Sequence, residues 1–492
     1  MPATHEVTNQ APPRVGLDEF AENAPLAEGV LRHDAGWAVE RLRAIGTRVG
    51  TAEFQQDAAA ANRREPQLAA FDRWGRRIDE VVYDESYHRV IGAAIADGAH
   101  TSAWAAPRPG ANVARAAAFM LYAQVEPGHA CPVSMTHAAW PVIEQQGGAV
   151  AAEWLPRLAS RDYEPRLEPG KTSAILGMAM TEKQGGSDVR ANTTRAEPVG
   201  ARGDGTYALT GHKWFCSAPM SDAFLVLAQA PGGLSCFLVP RVLPDGERNA
   251  FRIQRLKDKL GNRANASSEI ELEDTAGVLL GEEGRGVRTI IDMVQQTRLD
   301  CILGTAAGMR QATAEAAWHA RHRAAFGALL VDQPAMTGVV ADLQLETEAA
   351  VATALRLARA EDADASAQER AFVRLATPVA KYWICKRGPG HAYEALECLG
   401  GNGYTEAFPL AMRYREQPVM AVWEGSGNVI ALDVLRALTR EPESLEAFDA
   451  EVSIAAGENA LLDAHLARAR ALVRETLTAA EPASRARELV AA

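Results

Sequence analysis

Apolar positions in the first third of the chain recur mostly at helical spacing, between residues 37 and about 143. The segment 113–123, VARAAAFMLYA, shows this best, with long apolar side chains and few breakers, and predicts a helix. Residues 1–35 are rich in Pro, Asn, Asp and Gly and predict an irregular arm. The period changes near residue 176. Tyr207 and Leu209 alternate with small or polar neighbours, Ile270 and Leu272 alternate with Glu269, Glu271 and Glu273, and 224–228 (FLVLA) and 235–239 (SCFLV) are short apolar runs bounded by turn residues. These patterns predict strands. Helical spacing returns after Gly286, where Val287, Ile290, Ile291 and Val294 form one apolar stripe. A helix is expected from Pro334 past Arg359, a polar link at 362–368 and another helix over 372–399. An alanine-rich amphipathic tail follows, with Leu461, Leu462, His465, Leu466 and Leu472 in one pattern. No repeat of 20–50 residues is present.

The resulting division is an arm and helical region at 1–175, a β domain at 176–283, a helical domain at 284–438 and a helical tail at 439–492. The fold class is α+β. The 492 residues suit about three domains at roughly 150 residues each.

Composition adds exclusions. Hydrophobic content of 47% and charged content of 23% describe a globular chain. A net charge of −12 disfavours diffuse attraction to nucleic acid. Cys131, Cys216, Cys236, Cys301, Cys385 and Cys398 form no C-x-x-C pair, so no metal site is expected. Their scatter fits reduced thiols in a cytoplasmic protein. Residues 1–10 have no basic flank before an apolar run, so no leader is expected. No apolar stretch is long enough to span a membrane.

Four segments could carry chemistry. GMAMTEKQGGSDVRAN at 177–192 joins hydroxyls and paired glycines where helical texture gives way to strands. Such a loop can aim N–H groups at an electron-rich ligand, or simply link two domains. GHKWFCS at 211–217 offers Trp214 and Phe215 to a flat ring or to the core. LGGNGY at 399–404 relieves side-chain crowding for a phosphate, or is an ordinary turn. VWEGSGN at 422–428 sets Glu424 between Trp423 and Gly425. An apolar flank would raise this carboxyl toward general-base range, and the alternative is a solvated Glu in a helix-entry loop. Neither a dinucleotide fingerprint nor a Walker A sequence occurs.

The ordered set MTEKQGGSD (180–188), GHKWF (211–215), DKLGNR (258–263), GEEGRG (281–286), RAAFG (323–327), LGGNGY and WEGSGN (423–428) resembles the acyl-CoA dehydrogenase superfamily. With 113–135 it is similar to the AidB branch, the DNA-alkylation-response flavoproteins. The resemblance covers roughly residues 5 to 440. It implies an N-terminal helical domain, a central β domain and a C-terminal helical bundle. It implies FAD as cofactor, with Met180, Thr181, Gly186 and Ser187 along the flavin and Trp214, Phe215 and Ser217 walling it. Ser426 and Asn428 would hold FAD from the helical domain. Arg323, Phe326, Gly400 and Gly401 would touch the FAD of a neighbouring subunit, which implies a homotetramer.

The implied chemistry is α,β-dehydrogenation of an acyl-CoA, with Glu424 as base and Trp423 narrowing the acyl pocket. The branch implies feeble activity of the isovaleryl-CoA type and a role in protecting DNA from alkylation. A true acyl-CoA dehydrogenase of fatty or branched-chain metabolism and a non-catalytic FAD-bound protein are the competing readings. Duplex DNA would meet the tail through Arg468, Arg470 and Arg474. Yet 441–492 holds ten Asp or Glu against five Arg, and the tail looks shorter than the branch pattern.

Overall fold

A computed structural model of the chain describes residues 4–199 and 205–492. The first three residues of the arm, and of the segment read for a leader, lie outside these. The chain divides into two compact units, one of residues 53–107 and 126–300, the other of 1–52, 108–125 and 301–492. The stretch 1–175 therefore contributes to both.

The first unit is built on a seven-stranded sheet. It follows a hairpin of β1 (Gln67–Phe71) and β2 (Arg77–Val82), an interruption that the helical spacing of 37–143 did not predict. β1 is exposed or half-buried throughout, and β2 buries Asp79 beside Val81, so a charged residue on the buried face breaks the apolar alternation. The sheet holds β3 (Leu176–Ala179), β4 (Arg195–Pro198), β5 (Thr206–Ser217), β6 (Ala223–Ala230), β7 (Gly233–Pro240), β8 (Phe251–Leu256) and β9 (Ser267–Leu280). The order is β3-β6-β4-β5-β9-β7, with β8 on β9, and β6 also pairs with β7. The path thus closes on itself through β6. Phe224, Leu225, Val226 and Leu227 are all buried there, as a strand covered on both faces requires. β5 and β9 form the long antiparallel pair, and its register slips between Lys213 and Cys216.

The second unit is helical. The irregular arm expected at 1–35 contains a helix, Ala24–Arg32, which Asn23 caps by accepting from the Leu26 N–H and which Pro25 begins. A proline and an asparagine that read as loop formers are its start signal. Helix Ala111–Ala123 is buried over its whole length. Residues 301–322 of helix Gly286–His322 follow, then Pro334–Ala360, Ala367–Glu397, Leu410–Met420 and Gly427–Arg440. The tail continues in Pro442–Val452, Ala460–Thr478 and Ala486–Ala491. Leu472, Leu489 and Val490 join Val434, Ala437 and Leu438 in one apolar cluster.

Two expected stripes are narrower than predicted. Ile291 and Leu461 are exposed while Ile290 and Leu472 are buried, because each helix offers its neighbours less than the full apolar arc. Among the described residues no helix is long and apolar enough to cross a membrane.

Asp362 closes the entry to helix Ala111–Ala123. Its carboxylate accepts from the Gly110 N–H at 2.8 Å and the Asn112 N–H at 2.7 Å. Gly110 has φ 75°, and a Cβ there would meet the Asp34 backbone at 2.5 Å. Asp362→Ala leaves two buried N–H groups without that acceptor, and is expected to cost about 2–4 kcal/mol. Urea unfolding followed by circular dichroism measures this, and an unchanged midpoint would show that the carboxylate is dispensable.

Candidate functional site

In the β-rich unit, the loop after β3 is held by one buried ion pair. Glu182 Oε1 accepts from Lys213 Nζ at 2.9 Å, the Thr194 hydroxyl at 2.6 Å and the Thr194 N–H at 3.1 Å. Oε2 accepts from the Thr193 N–H and hydroxyl at 2.7 and 2.9 Å. Lys213 Nζ also donates to the Leu227 carbonyl at 2.7 Å. Burial opposes both charges. For Glu182 the Lys213 ammonium and the Thr donors outweigh it and hold the carboxyl at about 2. Burial pulls Lys213 below its ordinary value, and Glu182 opposes the shift.

This knot presents the residues singled out in the sequence. The Trp214 N–H donates to the Thr181 carbonyl at 2.8 Å, which ties the loop to β5. Met180 is partly buried, and its carbonyl accepts from Asn192 Nδ2 at 2.9 Å. Gly186 and Ser187 are exposed. A Cβ on Gly186 would come within 2.3 Å of the Thr181 hydroxyl oxygen. The slip in β5 register sends Lys213 and Cys216 inward, leaving Trp214 partly buried and Phe215 half-exposed. Core packing, the alternative for this pair, is therefore excluded for Phe215. Lys257 Nζ lies 3.3 Å from the Trp214 ring centroid. Ser217 Oγ meets Ser267 Oγ at 3.1 Å.

In the helical unit, Glu424 sits in the turn between helices Leu410–Met420 and Gly427–Arg440 with φ 55°. A left-handed backbone is costly for a residue with a Cβ and persists only where the surroundings impose it. Lys381, almost fully buried, donates from Nζ to the Gly425 carbonyl at 2.7 Å. The adjoining Gly425 has φ 108°. Ser426 occupies the N-cap of Gly427–Arg440 without a side-chain capping bond, and Asn428 is exposed in the first turn. Trp423 packs on Cys301, Cys385 and Met420. Its buried indole N–H has no acceptor among the described residues.

Phe326 and Gly327, with φ 54° and 83°, form the turn of a two-residue hairpin pairing Ala324–Ala325 with Ala328–Leu329. Positive φ at both central positions marks a type I′ turn. Phe326 is fully exposed at its tip. Arg323 Nη1 donates to the Asn9 carbonyl. Gly400 and Gly401 lie in an exposed 3₁₀ turn, Gly400–Tyr404. Its flank, Leu399, packs in one cluster with Ala312 and Ala316.

In the tail, Arg470 is taken by Asp449 at 2.6 Å and the Ser453 hydroxyl at 2.6 Å. Arg468 meets His465 at 3.1 Å, and Arg474 is exposed.

Sequence reasoning quoted Glu182 and Lys213 inside their motifs without giving either a role, and it passed over Lys381. Lys381 had a signal: a single cation in the apolar run 379–384 of a helix.

Family comparisons decide the lineage. The Adaptive response protein AidB N-terminal domain matches residues 9–165, the acyl-CoA dehydrogenase middle domain 177–275 and the acyl-CoA dehydrogenase C-terminal domain 284–439. AidB of Escherichia coli (strain K12) is 49% identical over 441 residues, covering 89% of this chain and 81% of that one. The chain belongs to the acyl-CoA dehydrogenase family, in its AidB branch. Two solved structures share the fold over nearly the whole chain. The apo form of Bd2924 is 29% identical with a TM-score of 0.88, covering 98% of this chain and 96% of that one. Caenorhabditis elegans ACDH-11 in complex with C11-CoA is 26% identical with a TM-score of 0.89, covering 99% and 88%. The expected order of helical, β and helical domains is the family's, and the family is one of FAD oxidoreductases acting on CH–CH groups.

The Glu182–Lys213 pair has a defined pH signature. Its folded carboxyl lies below the ordinary 4.5, so its stabilisation is complete above that value and is lost as pH falls toward about 2. Glu182→Gln is expected to flatten stability across this window and to cost about 3–5 kcal/mol at neutral pH, because Lys213 is left buried without its counter-charge. Urea unfolding at a series of pH values measures both. An acid limb identical in the two proteins would assign the pH dependence to other carboxylates.

Proposed function

We propose that this chain is an AidB-type acyl-CoA dehydrogenase in which Glu424 takes the α-proton of an acyl-CoA thioester. The observation that carries the proposal is the left-handed backbone of Glu424 in a turn whose next carbonyl is gripped by buried Lys381. Strain maintained by a buried cation fits a residue whose carboxylate must be aimed.

The residues present suit FAD. The indole N–H of Trp423 is a buried donor in need of an acceptor. The uncapped start of Gly427–Arg440 favours oxygen-rich, anionic groups. Phe215 offers an exposed aromatic face. Thr181, Ser187, Trp214, Phe215, Ser217, Ser426 and Asn428 are the residues that would contact the cofactor. Bound FAD supplies the hydride acceptor. The chain's own task is proton transfer and alignment. A thioester α C–H is a weak acid, so the base works only where water is excluded and the enolate oxygen receives hydrogen bonds.

The C11-CoA complex of ACDH-11 supports an acyl-CoA as the substrate class. The physiological role in this reading is protection of DNA against alkylation, with weak dehydrogenase turnover. A homotetramer is part of the same reading, supported by the exposed Phe326 and Tyr404. A reducing, cytoplasmic setting agrees with six buried cysteines that form no disulfide.

Anaerobic titration with a panel of acyl-CoA thioesters tests the chemistry. The wild-type flavin is expected to bleach with at least one member. Glu424→Gln is expected to keep its FAD and bleach roughly a hundredfold more slowly or worse. Equal bleaching rates would remove Glu424 as base, and no bleaching with any thioester would remove the acyl-CoA reading.

The tail generates a separate expectation. Arg470 is engaged by Asp449, which leaves Arg468 and Arg474 to meet phosphate. Duplex retardation in a gel should be weak, fall steeply with salt, and vanish in an Arg468→Ala, Arg474→Ala double variant. Retardation unchanged in that variant would put any duplex contact elsewhere.

A further inference from the structure

The hairpin at 323–329 is too small to hold its own shape. An isolated two-residue hairpin is marginal in water, and this one carries a phenylalanine at positive φ, where the backbone is strained. Two side chains from outside it supply what its backbone lacks. In a hairpin closed by Phe326 and Gly327, the Ala325–Ala328 pair faces inward, and Ala324 turns its N–H and C=O outward. Both outward groups are met by one amide. Asn9 Nδ2 donates to the Ala324 carbonyl at 2.8 Å, and the Ala324 N–H donates to Asn9 Oδ1 at 2.7 Å. The Asn9 side chain thus behaves as a one-residue third strand. Gln333 Nε2 donates to the Ala325 carbonyl at 2.9 Å.

The arm is fastened again at Asn9 and at points after it. Arg323 Nη1 donates to the main-chain carbonyl of Asn9. Trp318 Nε1 donates to the Pro12 carbonyl at 2.8 Å. Further along, Arg14 pairs with Glu19 in a buried salt bridge, and Arg310 Nη2 donates to the Glu22 carbonyl at 2.7 Å. Asn9 itself has φ 55°, a conformation asparagine tolerates better than most residues. Its backbone and its amide are therefore both committed to this one contact.

We infer that residues 9–12 are a strap that positions the Arg323–Gly327 turn, with Asn9 as its positioning residue, so that the N-terminal arm is a working part of the cofactor site. This rests on the reading that Phe326 and its turn contact FAD. Asn9 itself would touch no cofactor atom. It acts by holding Ala324, and through it the strained Phe326, in one conformation.

Three holoenzymes test it: wild type, Asn9→Gly and Phe326→Ala. Glycine keeps the positive φ and removes only the amide. FAD release on dilution is followed by flavin fluorescence, and unfolding by circular dichroism at the same time. Two lost hydrogen bonds at ordinary strength correspond to about a tenfold or larger rise in the FAD dissociation constant of Asn9→Gly. The unfolding midpoint of the FAD-free polypeptide should not move with it, whereas that of the holoenzyme falls only as far as the weaker binding requires. Asn9→Asp keeps the acceptor for the Ala324 N–H and should fall between wild type and Asn9→Gly. If Phe326→Ala releases FAD but Asn9→Gly holds it as wild type does, the strap is overturned while the reading of the turn stands. If Asn9→Gly loses FAD only in step with its fold, the contact is merely structural and the inference is likewise overturned. If Phe326→Ala itself retains FAD normally, the reading of the turn fails, and the strap's role at the cofactor fails with it.

Discussion

Glu182 and Lys213 are both buried, so each must be satisfied by protein, and the loop after β3 is arranged to do that. Five donor contacts converge on one carboxylate, and the ammonium is shared between that carboxylate and a strand carbonyl. A pair like this contributes little net stability compared with well-packed apolar groups, but breaking it is expensive. Its value is geometric. It allows one path for the loop after β3, and that path sets Thr181 beside the backbone of Trp214. The aromatic pair on β5 then inherits its exposure from a register slip next to the buried lysine.

The helical unit applies the same rule to a different end. Lys381 is buried with its ammonium on the Gly425 carbonyl, and Asp362 is buried with its oxygens on two N–H groups at a helix entry. In both, a charged group is matched to backbone dipoles. Such matches hold backbone that would otherwise relax. Glu424 and Phe326 keep left-handed conformations, and each lies within two residues of a main-chain group gripped by a distant side chain. Strain at a non-glycine position needs this over-determination.

Much of the architecture was legible in the order of patterns. The switch from helical spacing to alternation near residue 176 and back near 286 marks the sheet, and β3 to β9 lie inside it. Hairpin β1–β2 was not legible, because β1 has no fully buried residue and β2 buries a charged one, Asp79, where an apolar residue would mark the strand. Helix Ala24–Arg32 was missed because Pro and Asn count as loop formers until their position at a helix start is known. The motifs gave roles to Trp214, Phe215 and Glu424, but none to Lys213, which lies inside one of them, and they do not contain Lys381. A lysine in sequence looks solvated until burial is known.

The sequence by itself determined the family, the succession of helical and β regions and the residue types available for chemistry, because these follow from periodicity and from an ordered set of local motifs. Tertiary structure alone decided which charges are buried, that Arg470 is spent on Asp449, and that Asn9 braces a turn more than three hundred residues away. Burial and long-range hydrogen bonding depend on what packs around a group, and neighbours in the chain do not specify that.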